Sequence, residues 1–318
     1  MNMECKKRPH CLAAVLRFLA FAALMMSPGW GTAAETGGKL DVLIVDARVY
    51  DRSPDALKAI FTATGRFNVE ESVSPSARAS QEEWEAWRPR FSDFDAVVLS
   101  SCQEPPTWSD AVRADFEVYV NAGGGVIILH TCTGAFFEDW DAYLNMVGLS
   151  WRRPAQGYRI IIDDATGEII RIPPMYGVGV GHSKLDYSFL VKNRLPDHPI
   201  MRGIPDVWLH AKDELYHGLR GPAENIDILA SAYSAKDHWG SGDHEPVLWT
   251  VTQGEGRVVI SVLGDDVEAM HNVGYQTLIA RGVEWAATGA VTIPVPQNFP
   301  TKDKPSVVKP EDVLWSSK

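Results

Sequence analysis

The chain has 318 residues, of which 45% are apolar and 22% are charged, so it is long enough for a large core and has the composition of a globular protein. This composition excludes disordered, collagen-like and multi-span membrane classes. The formal net charge of −11 disfavours contact with phosphate backbones, and we therefore expect no nucleic-acid partner.

The first 34 residues have the layout of a secretory signal peptide. Basic residues at 6–8 precede an apolar stretch at 11–26, and small residues at 31–34 close the segment. The apolar stretch is short for a membrane span and is interrupted by an arginine, which favours export over anchoring. We expect cleavage near Ala34, a periplasmic or extracellular location, and no stable membrane insertion afterwards.

Cleavage would change the properties of the mature chain. The net charge would move from −11 to −14, and two of the four cysteines would remain. We assign residues 35–290 to one α/β domain and residues 291–318 to a C-terminal tail that wraps the surface or is partly disordered.

Strand and helix patterns alternate through the first half of this domain. Strand patterns at 40–45, 67–71, 96–100 and 126–129 alternate with helical patterns at 53–64 and 109–121, and the apolar runs at 40–45 and 96–100 are typical of buried strands. This alternation predicts a doubly wound parallel sheet, in which ligands bind at the carboxyl ends of the strands.

The second half is less regular. Residues 150–245 read as an irregular insertion that contains one hairpin, with strands at 159–162 and 168–172. A second hairpin at 247–263 and an amphipathic helix at 274–287 complete the domain.

Two histidines are candidates for chemistry because of their positions. His130 comes directly after a buried strand, at the end of the sheet where ligands bind. His182 follows a glycine-rich loop at 177–181 that would let a ligand approach closely. Each could be a metal ligand, a general base or a substrate contact; the alternative is a histidine that only hydrogen-bonds neighbouring backbone.

A short acidic segment offers a second set of candidates. If residues 213–216 are extended, Glu214 and Tyr216 point to one side and could address one ligand, while Asp213 points to the other. The alternative is a solvated acidic turn. The glycine-rich stretches at 123–125 and 177–181 lack the context of a phosphate-binding loop, so we expect no nucleotide cofactor.

The two remaining cysteines, Cys102 and Cys132, each follow a predicted strand end. A pair in an oxidising compartment is often a disulfide. Free thiols and a nucleophilic Cys132 on a strand-to-helix turn remain open alternatives.

Several segments together resemble the ThuA-like (trehalose utilisation) family. They are AGGGVIILHTCTGAFFEDWDAYLNMVG, DHPIMRGIP, DELY, HEPVLWT, GEGRVV and RGVEWAA, spread over about residues 40–290. The resemblance implies a flavodoxin-like fold related to class I glutamine amidotransferases, usually without their catalytic cysteine. It departs at Gly264 and Asp265, where the family tends to have Gly-His.

The resemblance also implies a function in carbohydrate utilisation, on disaccharides, glycosides or their 3-keto forms. Family-motif positions carry over to His130, His198, Asp213, Glu214, Tyr216 and His244. We expect His130, His182 and Glu214 to bind a divalent metal (zinc or manganese) or to act as acid and base without one.

Further residues are expected to contact the sugar. Asp213 and Tyr216 would hold hydroxyl groups, and His198, His244 and Trp140 would contact the substrate, although core packing is the commoner fate of a tryptophan. A small carbohydrate ligand is the expected partner, and a homo-oligomer is left open. The alternatives are a non-catalytic sugar-binding or scaffold protein and a hydrolase that depends on Cys132.

Overall fold

The computed structural model describes residues 38–48, 54–102, 108–134, 137 and 139–315. The signal-peptide prediction falls on residues outside these ranges and stays a prediction. Within the described part of the chain, no helix has the length and apolar character needed to cross a membrane.

The first half is the predicted α/β unit. Its strands are β1 (Leu40–Asp46), β2 (Phe67–Val73), β3 (Ala96–Ser101) and β4 (Gly125–Leu129), and its helices are α1 (Pro54–Ala63), α2 (Gln81–Ala86) and α3 (Asp110–Asn121). The strands pair in parallel in the order β2-β1-β3-β4. Every residue of β3 and β4 is buried, because helices cover both faces of a doubly wound sheet.

Local sequence sets the helix starts in this half. Ser80 caps α2 in a reciprocal capping box with Glu83, and Ser109 caps α3 by accepting the N–H of Val112. Gly65, at φ 70°, follows α1 in the left-handed conformation that glycine adopts without strain.

The second half contains shorter elements. They are α4 (Asp141–Val147), β5 (Tyr158–Ile162), β6 (Ile169–Ile172), β7 (Gly181–His182), β8 (Tyr187–Asn193), β9 (Val207–Asp213), β10 (Tyr216–His217), β11 (Arg220–Gly221), β12 (Ile226–Tyr233), β13 (His244–Gln253), β14 (Gly256–Ser261), α5 (Val267–Met270) and α6 (Val273–Thr288). The predicted hairpins are β5–β6 and β13–β14, and the predicted C-terminal helix is α6.

One mixed sheet joins the two halves. The order β2-β1-β3-β4-β14-β13-β12-β8-β9 is parallel as far as β14 and antiparallel beyond it. The fold is therefore α/β with a parallel core, as predicted. The region predicted as irregular extends the sheet through β8 and β9, whose polar residues, such as Lys192 and His210, interrupt the apolar pattern that would reveal a strand.

The C-terminal segment packs against this domain. The N–H of Val273 donates to Ser306 O (2.9 Å), and Gln276 Nε2 donates to Val308 O (2.8 Å). The ring of Phe299 contacts Trp208, with centroids 5.7 Å apart. The described part of the tail thus lies along α6 and the β9 edge.

Candidate functional site

The centre of the site is the turn that follows β4. His130 begins a 3-10 helix at His130–Thr133, is 1% exposed, and has φ 37°. A positive φ is strained for a residue with a Cβ, and such strain clusters at functional positions. Thr133 Oγ1 holds the turn by donating to His130 O at 2.6 Å.

A disulfide braces the same turn. Cys102, which follows β3, is bonded to Cys132, and their Cα atoms are 5.0 Å apart. Cys132 O also accepts the phenol O–H of Tyr143 at 2.7 Å. Because its sulfur is bonded and buried, Cys132 does not present a thiolate, and the structure does not support the Cys132-dependent alternative. The strained elbow position belongs to His130, two residues earlier.

Two carboxylates converge on His130 from different parts of the chain. Glu214 Oε2 lies 3.4 Å from His130 Nε2, and Asp265 Oδ1 lies 3.7 Å from the same nitrogen. Ligand atoms of these three residues all lie within 4.8 Å of one another. One imidazole and two carboxylates form a donor set that suits zinc or manganese.

Tyr216 contacts the other side of the His130 ring. Its phenol oxygen is 2.9 Å from His130 Nδ1, and the two ring centroids are 4.3 Å apart. If Nδ1–H donates to the phenol oxygen, Nε2 faces the carboxylates with a lone pair and can bind a metal; in the other tautomer Nε2 carries a hydrogen.

His182 completes the group through Glu214. It pairs with Tyr216 across the β7–β10 ribbon, and its Nδ1 lies 2.9 Å from Glu214 Oε1 and 2.7 Å from Ser183 O. Two acceptors at Nδ1 favour a hydrogen there, which leaves the lone pair on Nε2. Gly181 permits the ribbon, because a Cβ there would lie 2.7 Å from His217 Nε2.

The sequence profile of ThuA, described as trehalose utilisation, matches residues 41–286. The chain belongs to the ThuA family. No curated protein matches it.

Two solved structures are similar to this chain; the first supports the family assignment and the second supports only the fold. A ThuA-like protein from Parabacteroides merdae ATCC 43184 is 34% identical, covers 86% of this chain and 99% of its own, and has a TM-score of 0.78. A second ThuA-like protein, from Bacteroides uniformis ATCC 8492, is 15% identical over 83% of this chain and 98% of its own, with a TM-score of 0.53, and supports the fold alone. The description of the ThuA family indicates a carbohydrate-related function.

The structure places several predicted residues of this ThuA-family protein at the site. His130, His182, Glu214 and Tyr216 come together. Asp213 lies beneath them, with its side chain fully buried, and accepts the backbone N–H groups of neighbouring residues. This burial favours a structural contribution by Asp213 over the predicted contact with a sugar hydroxyl.

The predicted substrate-binding histidines have other surroundings. His198 packs on Trp285, with centroids 4.8 Å apart, and burial lowers its pKa to about 4. His244 lies 3.2 Å from Asp164 and 3.2 Å from Arg194, and burial lowers its pKa too. None of these contacts is with the His130 group.

Trp140 also has a different environment from the one predicted. It is 5% exposed and packs among aromatic side chains that include Trp108 and Tyr143. Its indole N–H donates to Glu117. These contacts are those of a core residue and do not favour stacking on a ligand.

Two site residues were missed from the sequence. Asp265 follows β14, which pairs in parallel with β4, and a polar residue after such a strand is a candidate for ligand binding. Asp265 was discounted from the sequence because the ThuA-like family tends to have histidine at that position. Trp151 lies beside Tyr216 and His182, with ring centroids 4.9 and 6.2 Å away. The backbone N–H of Trp151 donates to Thr133 O at 2.9 Å, a long-range contact that no local pattern reveals.

Proposed function

We propose that this protein is an exported carbohydrate-processing enzyme that acts on a disaccharide, a glycoside or its 3-keto derivative with the help of a divalent metal. The observation that carries the proposal is the convergence of His130, Glu214 and Asp265 at the end of the parallel sheet. The ligand set differs from the sequence prediction, because Asp265 takes the place of His182.

The residues fit a metal on chemical grounds. His130 Nε2 lies 3.4 Å from Glu214 Oε2 and 3.7 Å from Asp265 Oδ1. These separations suit an ion bound at roughly 2.0–2.2 Å from each of the three atoms. The three side chains are 1%, 13% and 24% exposed, so the group is sheltered but open on the carboxylate side. When bound, zinc or manganese would polarise a sugar carbonyl or lower the pKa of a bound water.

The other residues supply positioning and proton transfer. Glu214 faces His130 with one oxygen and His182 with the other, so it would hold the metal and orient the base at once. The Nε2 lone pair of His182 would take a proton from a sugar hydroxyl or from water, and its side chain is 39% exposed. Tyr216 would fix the His130 ring, as hydrogen-bond partners of metal ligands commonly do.

Metal binding is the first test of this proposal. The protein, purified without a histidine tag, should contain close to one zinc or manganese ion per chain by elemental analysis. Asp265→Asn should lose the metal. Asp266→Asn is the matched control, since Asp266 accepts the Ala269 N–H at the start of α5 and asparagine caps a helix equally well.

Sugar binding is the second test. Trehalose and 3-keto-trehalose should raise the melting temperature of the metal-loaded protein, and Glu214→Gln should abolish turnover. Absence of metal together with absence of any sugar-induced shift would overturn the proposal. The non-catalytic alternative would be favoured by a different result: the wild type binds the sugar without converting it, and the His130→Asn and Glu214→Gln variants bind the sugar equally well.

The disulfide supports the proposed export, because such bonds persist mainly in oxidising compartments. Expression of the full chain in a host with a periplasm should give a mature protein that begins near Glu35. Intact mass spectrometry would show the new N-terminus and the loss of two hydrogens for the Cys102–Cys132 bond. A full-length mass confined to the cytoplasm would contradict export.

A further inference from the structure

We infer that Asp213 and His210 form a buried pair that fixes the separation between the Glu214 and Asp265 carboxylates. The inference deepens the proposed function and rests on it for its link to metal binding. Neither residue of the pair faces the ligand, since both side chains are 0% exposed. Both would therefore be positioning residues.

The carboxylate of Asp213 binds both loops that carry the proposed ligands. Its Oδ1 accepts the N–H of Glu214 at 2.8 Å and of Asp265 at 3.0 Å, and its Oδ2 accepts the N–H of Gly264 at 2.8 Å. The same Oδ2 lies 2.8 Å from His210 Nε2. Four donors at these distances leave little capacity for a ligand, so Asp213 acts on its neighbours and not on the substrate.

The two loops that Asp213 joins follow strands that are distant in the sheet. Glu214 follows β9, Asp265 follows β14, and these strands are not neighbours in the sheet. Strand pairing therefore does not set the distance between the two carboxylates, whereas a single oxygen of Asp213 contacts the backbone N–H of both residues. Gly264 allows the approach with φ 83°, a conformation in which a Cβ would lie 2.5 Å from the ring of Tyr275.

His210 holds the Asp213 carboxylate through the contact between its Nε2 and Asp213 Oδ2. Its ring packs on Phe189, with centroids 5.2 Å apart, and its Nδ1 has no hydrogen-bond partner among the described residues. A charged ring would bury an N–H donor at Nδ1 without an acceptor, which is costly. The geometry therefore places the ring hydrogen on Nε2, where it is donated to Asp213.

Two substitutions at His210 separate hydrogen bonding from packing. His210→Phe keeps a buried ring but removes the donor, and should weaken Mn²⁺ binding roughly 10- to 100-fold, as loss of a group that orients metal ligands commonly does. His210→Gln keeps an N–H donor and should restore affinity close to that of the wild type. His198→Phe is the control, because it makes the same change at a half-buried histidine outside this site and should leave Mn²⁺ affinity unchanged.

The measurements are Mn²⁺ titration by electron paramagnetic resonance, circular dichroism to verify folding, and metal-free crystal structures of the wild type and of both His210 variants. The Glu214–Asp265 separation should change in His210→Phe and be retained in His210→Gln. A folded His210→Phe protein with wild-type affinity and separation would overturn the inference, as would a His210→Gln protein as impaired as His210→Phe. If the wild type binds neither Mn²⁺ nor Zn²⁺, the proposed metal function fails, and the metal-free structures still decide whether the pair positions the carboxylates.

Discussion

The phenol oxygen of Tyr216 lies 2.9 Å from Nδ1 of His130, although the two residues are 86 positions apart along the chain. The contact joins the strained turn after β4 to the β7–β10 ribbon. The direction of this hydrogen bond fixes the neutral tautomer of His130: if Nδ1–H donates to the phenol, Nε2 offers a lone pair to the side of Glu214 and Asp265, and if the phenol donates, Nε2 carries a hydrogen.

Tyr216→Phe tests this control of the His130 ring. The substitution removes only the phenol oxygen and keeps a ring of nearly the same size against His130 and Trp151. We expect metal affinity or kcat to fall roughly 10-fold or more, because partners that orient metal ligands have effects of this size. The melting temperature should change far less than the activity. A Tyr216→Phe enzyme with wild-type kcat and metal content would show that the tautomer is set elsewhere.

The disulfide gives a second prediction. Cys102 and Cys132 are separated by 30 residues in sequence, and a cross-link closing a loop of this length stabilises a fold by about 3–4 kcal/mol in the chain-entropy view. Replacement of both cysteines by alanine should lower the free energy of unfolding by about that amount, measured by urea denaturation. Activity should also fall, because Cys132 lies in the 3-10 helix that begins at His130.

The unchanged wild type in the presence and absence of a thiol reductant is the control for this measurement. Cys132 is 0% exposed and Cys102 is 6% exposed, so native protein should resist mild reduction. Equal unfolding free energies for the wild type and the double variant would show that the disulfide contributes nothing to stability.

Much of this fold was predictable because its first half repeats one physical pattern. Short apolar runs such as β3 and β4, flanked by helical patterns, indicate buried strands between helix layers. The position of His130 at the binding edge of the sheet was predictable because His130 directly follows β4. The alternation of Glu214 and Tyr216 likewise predicted that they would address one group. The structure has both near His130, although β9 ends at Asp213 and Tyr216 begins a separate strand.

The remaining parts depend on tertiary contacts that no local pattern encodes. Asp265 and Asp266 are adjacent carboxylates, and only the hydrogen bonds to Asp213 and to α5 decide which of them faces His130. The backbone hydrogen bond from Trp151 N–H to Thr133 O holds Trp151 next to the turn after β4, where its ring lies beside Tyr216 and His182. The disulfide stayed open in the sequence because adjacency of β3 and β4 is a property of the sheet order.

Trp151 and Trp140 form a matched pair for a third prediction. Trp151 is partly buried beside Tyr216 and His182, and an indole at the edge of a site stacks well on the apolar face of a sugar. Trp151→Ala should raise the KM or Kd for the sugar more than Trp151→Phe does, with kcat affected less. Trp140→Phe should lower the melting temperature and leave sugar affinity unchanged. The reverse result would restore Trp140 as the sugar contact.

The dependence of stability on pH gives the last prediction. Burial lowers the pKa of His198 and of His217 from 6.5 to about 4 in the folded protein. In the unfolded chain both rings regain a pKa near 6.5, so the unfolded state binds more protons between these two values. Stability should therefore be complete above pH 7 and fall as the pH decreases from about 6.5 towards 4. Each histidine contributes a slope of at most about 1.4 kcal/mol per pH unit.

Urea unfolding at pH 7.5, 6 and 5 would measure this slope. His198→Asn keeps a side-chain acceptor for the Ile200 N–H, which His198 Nδ1 now accepts at 3.2 Å, but removes the titrating ring. The slope between pH 6.5 and 4.5 should become shallower in this variant, while stability above pH 7 changes little. A slope identical to that of the wild type would mean that His198 takes up its proton equally well in the folded and unfolded states.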